Sequence, residues 1–141
     1  MTNIRNAAKY AILFVVGGLA YVCIELLARG YSHWTMFILG GICFLILGVL
    51  NEIFGRATPL FPQMVMGSVI ITSLEYITGV IVNIHLGWDV WDYSHLPLNL
   101  HGQICVPYMI IWFFISFVAI ALDDWVRHWL FGYPKPEYKF F

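Results

Sequence analysis

Glu75 stands in the middle of an apolar stretch, Gln63 to Ile84, and the segment after it runs WDVWDYSHLPLNLHGQIC. A carboxylate at the depth of a bilayer costs at least a few kcal/mol unless it meets a partner, a proton or water, which makes it a candidate for function by default. Its chemistry would be to hold a cation or carry a proton. Glu25 and Arg29 form an i, i+4 pair, serving either as an interfacial ion pair or in ligand capture. The loop adds Asp92, Tyr93, Asn99 and His101 within its densest polar run, and Trp112 shares a helical face with Tyr108 and Ser116. These residues are the candidates for solute binding or translocation.

No catalytic set is assigned. HExxH, CxxC and nucleophile-elbow patterns are missing from the sequence. His95 and His101 flank Pro97 at a spacing that fixes no ligand geometry, so neither a metal nor a cofactor is expected.

The elements that must position these groups follow from composition. Of 141 residues, 61% are apolar and 11% charged, and no soluble core absorbs that much apolar side chain. Four blocks, residues 10–27, 34–50, 63–84 and 104–122, approach the ~20 residues a helix needs to cross a bilayer. They are continuously apolar rather than alternating, which excludes membrane β-strands. The expected fold is all-α, a single polytopic domain over residues 1–141 with four transmembrane helices and a long outer loop between the third and fourth. The first block follows Arg5 and Lys9 but is too long, lacks a small-x-small exit and leads to Glu25, so it reads as a span rather than a cleaved signal.

Each span carries a small or polar stripe. Ser68, Thr72, Glu75, Gly79 and Asn83 share a sector of the third, and Tyr108, Trp112, Ser116, Ala119 and Asp123 one of the fourth. The first offers Phe14, Gly18, Tyr21, Glu25 and Arg29, and the second Gly41, Gly48 and Glu52. Close helix approach accounts for the small residues. It does not account for Glu75, since packing needs no carboxylate.

Charge placement sets the expected orientation. Arg5, Lys9, Arg56, Arg127, Lys135 and Lys139 fall on one side of a four-span bundle and Arg29 alone on the other, which puts both termini in the cytoplasm of a cell membrane. The outer side then bears Glu25, Asp89 and Asp92 with four histidines, a mouth that attracts cations more than anions. No basic stripe exists for nucleic acid. Residues 123–141 form an interfacial cytoplasmic tail, its helical part ending before YPKPEYKFF, with Glu52 expected to do no more than solvate a helix end. All three cysteines are expected to be reduced.

Several motifs in order carry a resemblance: RGYSHWTM at Arg29–Met36, GGICF at Gly40–Phe44, Asn51–Glu52, EYITG at Glu75–Gly79, WDYS at Trp91–Ser94, Pro97-x-Asn99 and GQIC at Gly102–Cys105. Together they make the chain similar to the CmpB-type ABC transporter permease family, over most of its length after about residue 20. The resemblance implies a transporter subunit and brings no established substrate or catalytic residue with it. The sequence holds no phosphate-binding loop ending in Lys-Ser or Lys-Thr, so an ATPase would be a separate chain. Four spans are few for a translocation path, which implies a homo-oligomer. The expected function is to bind or move a small solute, a cation being favoured. The alternatives are a membrane enzyme using Asp92 or His101 at the outer face, and a purely structural membrane subunit.

Overall fold

The computed structural model describes residues 2–54 and 58–138. Arg56 and Lys139, counted above in the charge asymmetry, lie outside the described residues. The chain is an antiparallel helical bundle: α1 (Thr2–Arg29), α2 (Trp34–Phe54), α3 (Leu60–Gly79) continuing as a π-helical turn (Val80–His85), and α4 (Val106–Phe131). All four are long and apolar enough to cross a membrane. Leu27, Val69, Ile110 and Phe114 are among the many apolar side chains left exposed on the outside of the bundle, where a bilayer solvates them.

The helices outrun the apolar blocks at several ends. α1 begins at Thr2 rather than near Tyr10, α2 reaches Phe54, and α4 runs unbroken through Phe131. A helix satisfies its own backbone, so it does not have to stop where the hydrocarbon does. α2 starts where His33 turns its ring inward: the Thr35 amide donates to His33 Nδ1 at 3.3 Å, as an N-cap side chain does.

Two helical pairs build the bundle, α1 against α2 and α3 against α4. In the second pair the Ser68 hydroxyl donates to the Met109 carbonyl at 2.6 Å, an interhelical bond of the kind that replaces hydrophobic drive inside a membrane. The largest buried cluster lies towards the loop end, where Tyr21, Met36, Cys43, Ile71 and Trp112 meet Val90 and Trp91. At that end the connection between α3 and α4 folds into a two-stranded antiparallel hairpin, β1 (Asn99–Leu100) with β2 (Ile104–Cys105). The three cysteines are free, Cys43 and Cys105 buried and Cys23 exposed.

Candidate functional site

The α3 stripe faces inward as its spacing requires: Ser68, Thr72, Glu75 and Gly79 are all buried. Glu75 is 1% exposed. One carboxyl oxygen accepts a hydrogen bond from the Tyr93 hydroxyl at 3.4 Å, and the other has no hydrogen-bond partner. Among the described residues no Lys, Arg or His forms an ion pair with it. The Thr72 and Tyr21 hydroxyls are likewise buried without partners. The Trp112 indole N–H faces the carboxyl without closing a well-aligned bond. A stretch of membrane interior thus holds several polar groups whose hydrogen-bonding capacity is unused, where each unmade bond costs on the order of 1–3 kcal/mol.

Beside this carboxyl opens a cavity of about 80 Å³ lined by Tyr21, Glu25, Arg29, Tyr93, Tyr108 and Trp112 together with two aliphatic residues. The guanidinium of Arg29 pairs with Glu25 and donates to the Val90 carbonyl at 3.0 Å. Glu25, Arg29, Tyr93 and Trp112, predicted from the sequence as site residues, therefore share one cavity, and Tyr93 ties it to Glu75. Burial pushes the Tyr93 phenol well above its ordinary pKa, so it stays protonated and donates.

The loop is placed over this region by Asn83, which stands on the π-turn. Its carbonyl oxygen accepts the Val90 amide at 2.7 Å and the Trp91 amide at 3.4 Å, while its amide donates to Gln103 at 2.8 Å. Trp91, 5% exposed, donates from its indole to the Gln103 carbonyl at 3.0 Å. The loop lies so close to α3 that a Cβ on Gly79 would come within 2.9 Å of the Trp91 ring, which explains a glycine there.

Asp92, Asn99 and His101 are brought together with one another but not with this cavity. Asp92 accepts the Ser94 amide at 2.8 Å, and that bond holds its carboxyl below the ordinary carboxylate pKa. Asn99 accepts the Gly102 amide at 3.0 Å and donates to the Leu96 carbonyl at 2.9 Å. His101 adopts a positive φ of 55° and shares a 2.9 Å hydrogen bond with the Tyr76 hydroxyl. All three are exposed; Asp92 and Asn99 bond within the loop, and His101 ties it to α3. Among the described residues no group of three or more His, Cys, Asp or Glu side chains is gathered as for a metal ion.

A family model described as "Putative ABC-transporter type IV" matches residues 9–136. The chain belongs to this family. No curated protein and no solved structure matches it. With its four apolar helices, membership makes this type IV family chain a multi-pass, transporter-like membrane protein.

The matched region of this type IV family chain also takes in a second polar assembly, at the opposite end of the bundle, that sequence reasoning missed. Asp123 and Arg127, each 2% exposed, pair across one turn of α4 at 3.0 Å. Arg127 also pairs with Glu52 of α2, and Glu52 accepts from the Tyr133 hydroxyl at 3.0 Å. Lys9 of α1 donates to the same hydroxyl at 2.8 Å. Asn51 donates to Asp124. α2 admits the pair because Gly48 has no side chain: a Cβ there would lie 2.6 Å from an Asp123 carboxyl oxygen. Glu52 is thus more than a solvated helix end. The i, i+4 spacing of Asp123 and Arg127 was the available signal, but their partners are distant in sequence and no local pattern announces them. Next to this network lies a cavity of about 240 Å³, bordered by Gln63, Asp123, Arg127 and the tail residues Tyr133, Pro134, Pro136, Glu137 and Tyr138. The tail bends back along α4, bringing the Tyr138 ring to 6.4 Å from Phe117.

Proposed function

We propose that this chain is a permease-type subunit that binds a small solute, with preference for a cation, at Glu75 and the adjoining cavity, and passes it across a cell membrane. The observation that carries this reading is the Glu75 carboxyl itself, buried in a membrane-spanning helix with one oxygen unbonded and, among the described residues, no counter-ion. Such a group is a cost to the fold that a passing cation or proton would relieve. Tyr93, reaching in from the loop, occupies the position of a movable stopper between that carboxyl and the cavity.

In this reading the loop faces outward and both termini are cytoplasmic. The described cations support it, since Lys9 and Arg127 gather at the end opposite Arg29. A second copy of the chain would complete the path, and an ATPase on a separate chain would supply energy, in keeping with the family's description. Asp92 bonds within the loop, His101 bonds to Tyr76, and neither lines the Glu75 cavity, which supports the solute reading over one that places chemistry on these two residues.

The test is native mass spectrometry of wild-type and Glu75→Gln protein, purified side by side in mild detergent. The expected result is a folded variant that has lost a small-molecule adduct present on the wild type. An adduct held equally by both would remove Glu75 from the mechanism.

A further inference from the structure

The walls of the cavity beside Glu75 say more than that a solute fits. Four of them are aromatic, arranged as two stacks: Tyr21 against Trp112 with ring centroids 5.7 Å apart, and Tyr93 against Tyr108 at 4.6 Å. The acidic side chains at hand are Glu25 in the wall and Glu75 behind Tyr93. Against them stands one guanidinium, Arg29, already paired with Glu25 and bonded to Val90. With both carboxylates ionised the sum is one negative charge, and with a proton on Glu75 it is zero, so in neither state does the site carry net positive charge to hold an anion. The Tyr21 hydroxyl, on a side chain only 8% exposed, lines the cavity with no partner.

Three classes of ligand can be compared with these walls. An anion would meet an excess of carboxylate, with the only cation already engaged. A bare inorganic cation needs a cage of oxygens, about six to eight for Ca²⁺ and near-octahedral for Mg²⁺. This cavity offers one wall carboxylate, a few hydroxyls and four ring faces or edges instead. An organic ammonium ion suits all of it: its alkyl groups lie on aromatic surface, its charge is attracted by ring quadrupoles, and a carboxylate balances it. The volume of about 80 Å³ corresponds to roughly two to three waters at their liquid share of about 30 Å³ each. We propose that the cavity formed by Tyr21, Glu25, Tyr93, Tyr108 and Trp112 next to Glu75 selects small alkylammonium ions over alkali-metal ions. This rests on the cation reading of the same site and narrows it to a chemical class.

The test uses the full chain in nanodiscs, titrated by calorimetry with ethylammonium, trimethylammonium, sodium and potassium chlorides and with sodium propionate, all at one ionic strength. The expected result is that at least one ammonium ion binds ten-fold or more tightly than Na⁺ or K⁺, and that propionate does not bind. Trp112→Phe, which keeps the ring but weakens its quadrupole, should lower ammonium affinity several-fold. Glu75→Gln should abolish it, with elution volume and unfolding temperature confirming a folded variant. Should Glu75→Gln fail to fold, Trp112→Phe and Tyr108→Leu carry the test. Binding of Na⁺ or K⁺ as tight as that of the ammonium ions would overturn the ammonium class while leaving a cation site intact. Propionate binding alone, or no binding by any probe, would overturn the cation reading as well.

Discussion

Asp123 and Glu75 are both fully buried carboxylates in membrane-spanning helices, yet the fold treats them in opposite ways. Asp123 finds Arg127 one turn along its own helix, and that guanidinium is held in turn by Glu52 on α2. Glu75 has, among the described residues, a long hydrogen bond from a loop tyrosine and no ion pair. The first arrangement is charge-paired, even though Asp123 Oδ2 and one Arg127 Nη still lack hydrogen-bond partners, and it ties α1, α2, α4 and the tail together at one end. The second has no ion pair among the described residues, and a buried carboxylate without a counter-ion is the feature on which the proposed solute site rests.

The contrast breaks most visibly if a partner is removed from the locked end. Arg127→Ala strands Asp123 without its counter-ion and should cost about 3–5 kcal/mol, read as a collapse of the unfolding temperature in detergent. Replacing both Asp123 and Arg127 by leucine should restore most of that loss. If Arg127→Ala proves no worse than the double variant, the pair is not a clasp. Next in size is Asn83→Ala, which removes the acceptor for Val90 and Trp91 and the donor to Gln103. It should cost about 1–3 kcal/mol and let protease cut the 86–103 loop while the helices stay folded. Glu75→Gln, by contrast, should change stability by less than about 1 kcal/mol, because the neutral amide escapes the desolvation that the carboxylate suffers. A large destabilisation there would place Glu75 with the structural carboxylates and erase the distinction.

The smallest effect belongs to Asp92, on the exposed rim. Its folded-state pKa is depressed by the Ser94 amide, so the turn it braces is fully held above the unfolded carboxylate value of about 3.9. That contribution fades as pH falls through the lower folded value. The protection of the Ser94 amide, taken relative to the intrinsic exchange rate at each pH, should therefore be flat from neutral pH to about pH 4 and fall only below it. A loss of protection beginning well above that pH would show that Asp92 is not the brace.

The number of helices and the inward face of α3 were legible in the sequence because hydropathy and a 3.6-residue period are local properties. So was the gathering of Glu25, Arg29, Tyr93 and Trp112, though only as a set of types and not as one cavity. The polar run after Trp88 shows what a string of residue types leaves out. The backbone turns sharply there, with positive φ at Leu98, His101 and Gly102, the Asp92 and Asn99 side chains bond within that turn, and the His101 ring bonds to Tyr76 of α3. The link between Glu52 and Arg127 could not be seen either, since it spans 75 residues and depends on which helix ends meet.

One consequence of the π-turn at Val80–His85 concerns changes in chain length. Its bonds run i to i+5, as from the Leu86 amide to the Ile81 carbonyl, so each turn holds about one residue more than an α-turn. Shortening the segment by one residue would let α3 continue as ordinary α-helix to the loop, and the span would survive. Asn83 would rotate by about 100°, one residue's worth of α-helix, away from Val90 and Trp91, and the loop would lose its anchor. A single-residue deletion here is therefore a way to detach the loop from the bundle while leaving every helix in the membrane.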